Sequence, residues 1–384
     1  MGPPGPPSTE LRPRHSCARC SLKCSSPGTP PPIHQDPGHR GTCVVNSSAP
    51  CLPRLTVSPG RRGSLTGGCA RRTVDATRCE VMSVPYLTAS DGVQIFYRDA
   101  GSHSAPPVLY LHGGPGEGSA DFEGFQDDHL KGWARLVTLD QRGALRSPRI
   151  VGRITMDQLI GDIEALRVAI HIARWHVVGH SWGGRLAADY AARHPEHVAS
   201  MALVCPALDW VESIQAVVER MAEQLAAEQP ALAAEVRRRG AALRPSEPIW
   251  SALLTIWSMV PSQVVNDVYN PGLDTRPFAR WLEAALAAGL FTEADRARAT
   301  DVCEQLDWEI FATSAIPLIQ RYRGPVQLFL EEDDPVCTPH QQAAVTAAGG
   351  MIHWLPGGHK PYVECSEQFA HALQAWVEDR TGPL

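Results

Sequence analysis

Gly179-His180-Ser181-Trp182-Gly183-Gly184 places a serine between an apolar run, Trp175 to Val178, and a helix-like segment that begins at Arg185. Strand, sharp turn and helix are the setting in which a serine flanked by glycines two residues away becomes a nucleophile: the turn holds the hydroxyl out on a tip, and a Cβ at either glycine would collide with the chain. A hydroxyl is a poor nucleophile unless a base takes its proton, and the base needs an acid to hold its tautomer. Both follow later in the chain, each directly after an apolar run. Glu331-Glu332-Asp333-Asp334-Pro335 follows Val326 to Leu330, and Gly357-Gly358-His359 follows Met351 to Leu355. We assign Ser181 as nucleophile, His359 as base and then acid, and Asp334 as the orienting carboxylate. Asp333 competes with Asp334; Pro335 fixes the turn after the latter, and the other three carboxylates of the run are expected to be solvated.

The glycine-dense loop His112-Gly113-Gly114-Pro115-Gly116 leaves backbone N–H groups uncovered after the apolar run Val108 to Leu111. Such a loop can supply oxyanion donors: the N–H groups of Gly114 and Trp182 are the expected pair, with Gly113 as a substitute. Asp140-Gln141-Arg142 closes another apolar run, Arg135 to Leu139, and is expected to tie this loop to its neighbours rather than to react. This chemistry requires no metal and no organic cofactor.

Strands and helices must alternate to position these residues. Val93 to Arg98 pairs with Pro85 to Thr88 across the turn Asp91-Gly92, and Met156 to Ile172 has Leu159, Ile163, Leu166 and Ile170 at helical spacing behind a Thr155 cap. Runs at Trp175 to Val178 and Val198 to Val204 continue the pattern, so an α/β protein with a mostly parallel central sheet, covered by helices on both faces, is predicted. At Pro206 the pattern breaks. Residues 207–323 are rich in Ala, Leu, Glu and Arg at helical spacing and read as an inserted helical cap, which divides a core of residues 82–206 and 324–384.

Residues 1–81 differ in kind. They hold thirteen prolines, seven of the chain's eleven cysteines and a net charge of +7, against −13 for the remainder. Disorder is expected there, since so little apolar surface cannot offset chain entropy. Cys17, Cys20 and Cys24 with His15 and His34 form a minor zinc candidate, and Met82, where folded texture begins, is a candidate start of translation. The acidic remainder argues against nucleic acid or an anionic membrane as partner, and its four scattered cysteines suggest a reduced, cytoplasmic setting.

Together, HGGPG at 112–116, DQRG at 140–143, GHSWGG at 179–184 and GGH at 357–359 resemble the α/β-hydrolase superfamily, and more narrowly its proline iminopeptidase (prolyl aminopeptidase) branch. The resemblance covers about residues 83–380 and implies the α/β-hydrolase fold, the same triad and the same oxyanion pair. It implies an aminopeptidase that releases N-terminal residues from a small or short-peptide substrate. Three departures stand out. Ala144-Leu145-Arg146-Ser147 lacks the family's second glycine, Glu331 stands where the acid loop usually begins with glycine, and the family's early-cap Trp-Glu pair is missing. Glu212 and Glu309 are the candidates for binding a substrate amine. An esterase, lactonase or amide hydrolase acting on a small acyl substrate is the alternative, and a non-catalytic receptor on the same fold is a third reading.

Overall fold

A computed structural model describes residues 86–246 and 249–380; the readings made for residues 1–81 lie outside them. Eight strands form one sheet: β1 (Tyr86–Thr88), β2 (Gln94–Ala100), β3 (Pro107–Leu111), β4 (Arg135–Leu139), β5 (Trp175–His180), β6 (Val198–Val204), β7 (Val326–Glu331) and β8 (Met351–Leu355). Their spatial order is β1-β2-β4-β3-β5-β6-β7-β8. β1 and β2 form the expected antiparallel hairpin, β2 also runs antiparallel to β4, and every later pairing is parallel.

The continuous apolar run of β3 follows from burial on both sides. Successive side chains of a strand point to opposite faces. Leu109 and Leu111 pack in one apolar cluster with Leu186 and Ile163, from helices α3 (Trp182–Arg193) and α2 (Met156–Ala169). Val108 and Tyr110 pack in another with Phe122 and Phe369, from α1 (Ala120–Leu130) and α15 (Ser366–Glu378). Thr155 caps α2 as expected, its hydroxyl accepting from the Gln158 N–H in a capping box.

Between β6 and β7 the described residues form nine helices, from α4 (Trp210–Leu225) to α12 (Ile316–Arg321). This insertion is bolted down by polar groups. The fully buried Gln341, on α13 (Pro339–Ala347), accepts from the N–H groups of Leu208 and Asp209 and donates to the Ser213 hydroxyl. Arg185, on the helix behind Ser181, reaches the carbonyl and hydroxyl of Thr313 at the insertion's far end.

The loop after β4 is a knot of buried charges. Arg142 forms a fork with Asp162 at 2.7 and 2.6 Å and also reaches Asp91 at 2.7 Å. Arg146 joins Asp140 to Glu123. Leu145, within the segment that lacks the family's second glycine, adopts a left-handed φ of 39°. That costs a leucine about 1 kcal/mol, and burial against Ala120, Ala285 and Phe291 offsets the cost by tying the loop to the insertion.

Because the side chains of Arg142 and Asp162 are only 3% and 5% exposed, Arg142→Met strands a buried carboxylate. Urea unfolding is expected to show a loss of about 3 kcal/mol; a loss below about 1 kcal/mol would mean the fork is not structural.

Candidate active site

β5 ends in a turn so tight that a methyl group on Gly183 would lie 2.0 Å from the Leu111 carbonyl oxygen, and one on Gly179 would lie 2.4 Å from that of Gly183. Between them Ser181 takes φ 53° and ψ −118°, a conformation that L residues rarely adopt. The turn is pinned to the end of the neighbouring strand: the Ser181 N–H donates to Val204, and the Ser181 carbonyl accepts from Gly184 and Ala207.

At the end of β7, Asp334 is the carboxylate turned inward. Its Oδ1 lies 2.8 Å from His359 Nδ1, while Glu332 and Asp333 are exposed. The N–H groups of Val336 and Cys337 donate to Asp334 at 3.1 and 2.9 Å and fix the carboxylate in the plane it needs. With Nδ1 engaged, Nε2 of His359 is the nitrogen left for chemistry. His359 and Ser181 both line one cavity of about 430 Å³, together with Gly114, Pro115, Glu117 and Lys360.

The oxyanion candidates meet beside the serine. A methyl group on Gly113 would lie 3.1 Å from Ser181 Cβ, and among the described residues no hydrogen bond engages the N–H of Gly114 or Trp182. Gln141 joins the two candidate segments: its Nε2 donates to the His112 carbonyl at 2.9 Å and its Oε1 accepts from the Trp182 indole at 3.0 Å. His112 is buried and neutral, its pKa lowered by burial, and its Nε2 accepts from the Gln141 N–H. The polar residues after β4 thus tie the loop to its neighbours, the role expected of them.

Neither of the two cap candidates lines this cavity. Glu212 faces away from the cavity lining: it accepts from the Thr338 hydroxyl and sits 2.9 Å from His340 Nδ1, clamping α4 to α13. Glu309 opens the four-residue helix α11 (Glu309–Ala312), is exposed, and does not line the cavity. The cap instead contributes an aromatic wall, with Trp210, Trp250 and Trp257 facing the cavity beside Leu253 and Leu254. Spacing alone could not separate a carboxylate aimed inward from one spent on a neighbouring helix.

Sequence reasoning also missed the support beneath His359. Glu364, on the short helix α14 (Pro361–Glu364), accepts from the N–H groups of Gly358, His359 and Lys360 at 2.9, 3.0 and 2.8 Å. Glu331, expected to be solvated, is 1% exposed and lies against the same loop. A methyl group on Gly357 would lie 2.3 Å from Glu331 Oε1 and 2.9 Å from Glu364 Oε2. Burial, reinforced by the nearby Glu364 carboxylate, pushes Glu331 up to about 10, so it is a neutral acid at neutral pH. His180 completes the support: neutral because burial lowers its pKa, it places Nε2 3.0 Å from the His359 carbonyl.

Among the described residues, two groups of side chains have metal-ligating atoms within 4.8 Å of one another. In Cys205, Asp334 and His359, two members bind each other and burial pushes the thiol well up, which suits a proton relay better than an ion. In Glu164, His194 and His197, Glu164 is already held by the Arg167 guanidinium.

The acid pair has a thermodynamic signature. The folded state keeps a proton on Glu331 that the unfolded chain releases above its ordinary value of 4.5, so this group lowers stability as pH rises from there toward about 10. Glu331→Gln keeps the donor without the proton linkage. It is expected to raise Tm at pH 8 by about 2 °C or more, with the gain vanishing near pH 4.5; an equal or lower Tm at pH 8 would contradict a protonated Glu331.

A family model described as alpha/beta hydrolase fold matches residues 106–364. A proline iminopeptidase of Xylella fastidiosa (strain 9a5c) is 42% identical over 121 residues, covering 30% of this chain and 37% of that protein. One of Neisseria gonorrhoeae is 39% identical over 122 residues, covering 31% and 38%. The chain thus spans less than two fifths of the length of these curated relatives. Among solved structures, a proline iminopeptidase-related protein of Thermus thermophilus aligns with a TM-score of 0.57 at 20% identity, over 77% of this chain and 96% of that one. No helix among the described residues is long and apolar enough to cross a membrane. An eight-stranded, mostly parallel sheet with a sharp serine turn at its centre agrees with the family match, and the chain belongs to the alpha/beta hydrolase fold family.

Proposed function

We propose that the protein is a serine hydrolase that works through an acyl-enzyme, and that it is an aminopeptidase of the proline iminopeptidase kind, releasing single N-terminal residues. The observation that carries the mechanism is the 2.8 Å contact between Asp334 and His359, in a cavity that also holds Ser181. Ser181 Oγ attacks the scissile carbonyl while His359 Nε2 takes its proton; Asp334 holds the ring and stabilises its positive form. The developing oxyanion is received by the N–H groups of Gly114 and Trp182, with Gly113 in reserve. Collapse expels the amine, protonated by His359, and water then repeats the cycle on the acyl-enzyme. The substrate class rests on the similarity to proline iminopeptidases.

One observation favours a second reading. The cavity walls given by the insertion are mainly aromatic and aliphatic, with Asn266, Asn270 and Cys303 beside them, and among the described residues they bring no carboxylate, which would suit an esterase or lactonase for apolar acyl groups.

Substrate assays separate the two. Turnover of proline 4-nitroanilide, abolished by acetylating its nitrogen and by Ser181→Ala, is expected; rapid turnover of short acyl esters with no arylamidase activity would favour the second reading. Gln141→Leu is expected to lower kcat about tenfold to a hundredfold with little change in KM, because it loosens both sides of the oxyanion hole at once. An unchanged kcat would remove Gln141 from the positioning of the hole.

A further inference from the structure

An aminopeptidase must hold its substrate's ammonium group very close to the reacting carbonyl, since only one carbon separates the two. The anchoring anion must therefore stand beside the oxyanion hole. Glu212 and Glu309 do not. Among the described residues that line the cavity, Glu117 is the one carboxylate, and it belongs to the oxyanion loop itself, three residues beyond Gly114. Its side chain folds back over that glycine: a methyl group on Gly114 would lie 3.1 Å from Glu117 Cγ.

Glu117 is already paired, and the way it is paired matters. Lys360, the residue after His359, has its ammonium 3.2 Å from Glu117 and 3.1 Å from Asp121. The Glu117 side chain is 41% exposed, whereas that of Asp121 is 11% exposed and also accepts from the Tyr362 hydroxyl. One cation therefore serves two carboxylates and leaves a net charge of about −1 at the cavity wall. An arriving ammonium can take Glu117 while Lys360 stays with the deeper Asp121, so no charge is left unpartnered at any point. Enclosure works against the charge of Glu117, but Lys360 outweighs it and holds the carboxyl below its ordinary range, so Glu117 is an anion at neutral pH.

We infer that Glu117 is the residue that binds the substrate's free amine, with Lys360 acting as a displaceable counter-ion held in reserve by Asp121. This rests on the aminopeptidase reading above and assigns to the oxyanion loop a task the insertion does not perform. It also explains how the site would select for an amine. With Lys360 shared between Glu117 and Asp121, the group keeps a residual negative charge near the oxyanion forming at Gly114; with the substrate ammonium bound to Glu117, that repulsion is cancelled. An amine-free acyl substrate thus meets a less favourable transition state than an amine-bearing one of the same shape.

The test compares proline 4-nitroanilide with an amine-free ester of cyclopentanecarboxylic acid, in the wild type, Glu117→Gln and Glu117→Asp. Glu117→Gln is expected to lower kcat/KM for the arylamide about thirtyfold or more, mainly through KM, as loss of a charged hydrogen bond does. It should raise kcat/KM for the ester severalfold, and Glu117→Asp should recover part of the arylamide activity. Equal losses on both substrates would show a merely structural role, and no loss on the arylamide would place the amine elsewhere; either overturns the inference while leaving an aminopeptidase. If the wild type itself turns over the ester but no amine-bearing substrate, the aminopeptidase reading fails first and the assignment of Glu117 falls with it. Rates of Ser181 labelling by a fluorophosphonate identify any variant that has simply failed to fold.

Discussion

The tightest approach of backbone to backbone among the described residues lies around Ser181. Where β5 turns into α3, the chain passes so close to itself, and to the end of β3, that only glycine fits at positions 179 and 183. That approach forces Ser181 into a left-handed conformation and aims it off the sheet's carboxyl edge. It also brings the loop after β3 against the same turn, so the proposed nucleophile and the proposed oxyanion loop are set by one packing event. The parallel strands do the rest, because β3, β5, β7 and β8 deliver the glycine-rich loop, serine, aspartate and histidine to one edge.

Around that edge, buried polar groups are used as spacers rather than as reactants. Gln141 bridges the two halves of the proposed oxyanion hole, Glu364 gathers three consecutive N–H groups of the histidine loop, and Gln341 fastens the start of the insertion. Each is bonded at more than one point, which is what makes a buried amide or carboxylate rigid instead of costly. The Glu331 proton belongs to the same logic. Two carboxyl groups this near one another coexist only if one is neutral, and the histidine loop is built on that pair.

Much of this arrangement is legible in the chain itself. The strands at β4 and β6 and the capped helix α2 follow from apolar periodicity and from Thr155, and GHSWGG, Asp334 and GGH fall at strand ends, as strand-turn-helix texture implies. What is not legible depends on the direction of side chains across elements distant in sequence. Glu212 looks like a substrate ligand because it lies early in the insertion, yet Thr338 and His340, more than a hundred residues away, claim it. Glu331 looks solvated as one of four consecutive acids, although the alternation of a buried strand's last residue already puts it under the loop. Glu117 offers a signal that is easily passed over: a charge inside a run of glycines, where side chains are otherwise excluded.

Everything proposed for the chemistry stands on the convergence of Ser181, His359 and Asp334 with two free amides, and the structure of a covalent phosphonate adduct tests that most directly. The predicted adduct has phosphorus bonded to Ser181 Oγ, the phosphonyl oxygen accepting from the N–H groups of Gly114 and Trp182, and His359 Nε2 within hydrogen-bonding distance of the serine oxygen. An adduct on another side chain, or one on Ser181 whose oxygen points away from both amides, would contradict it.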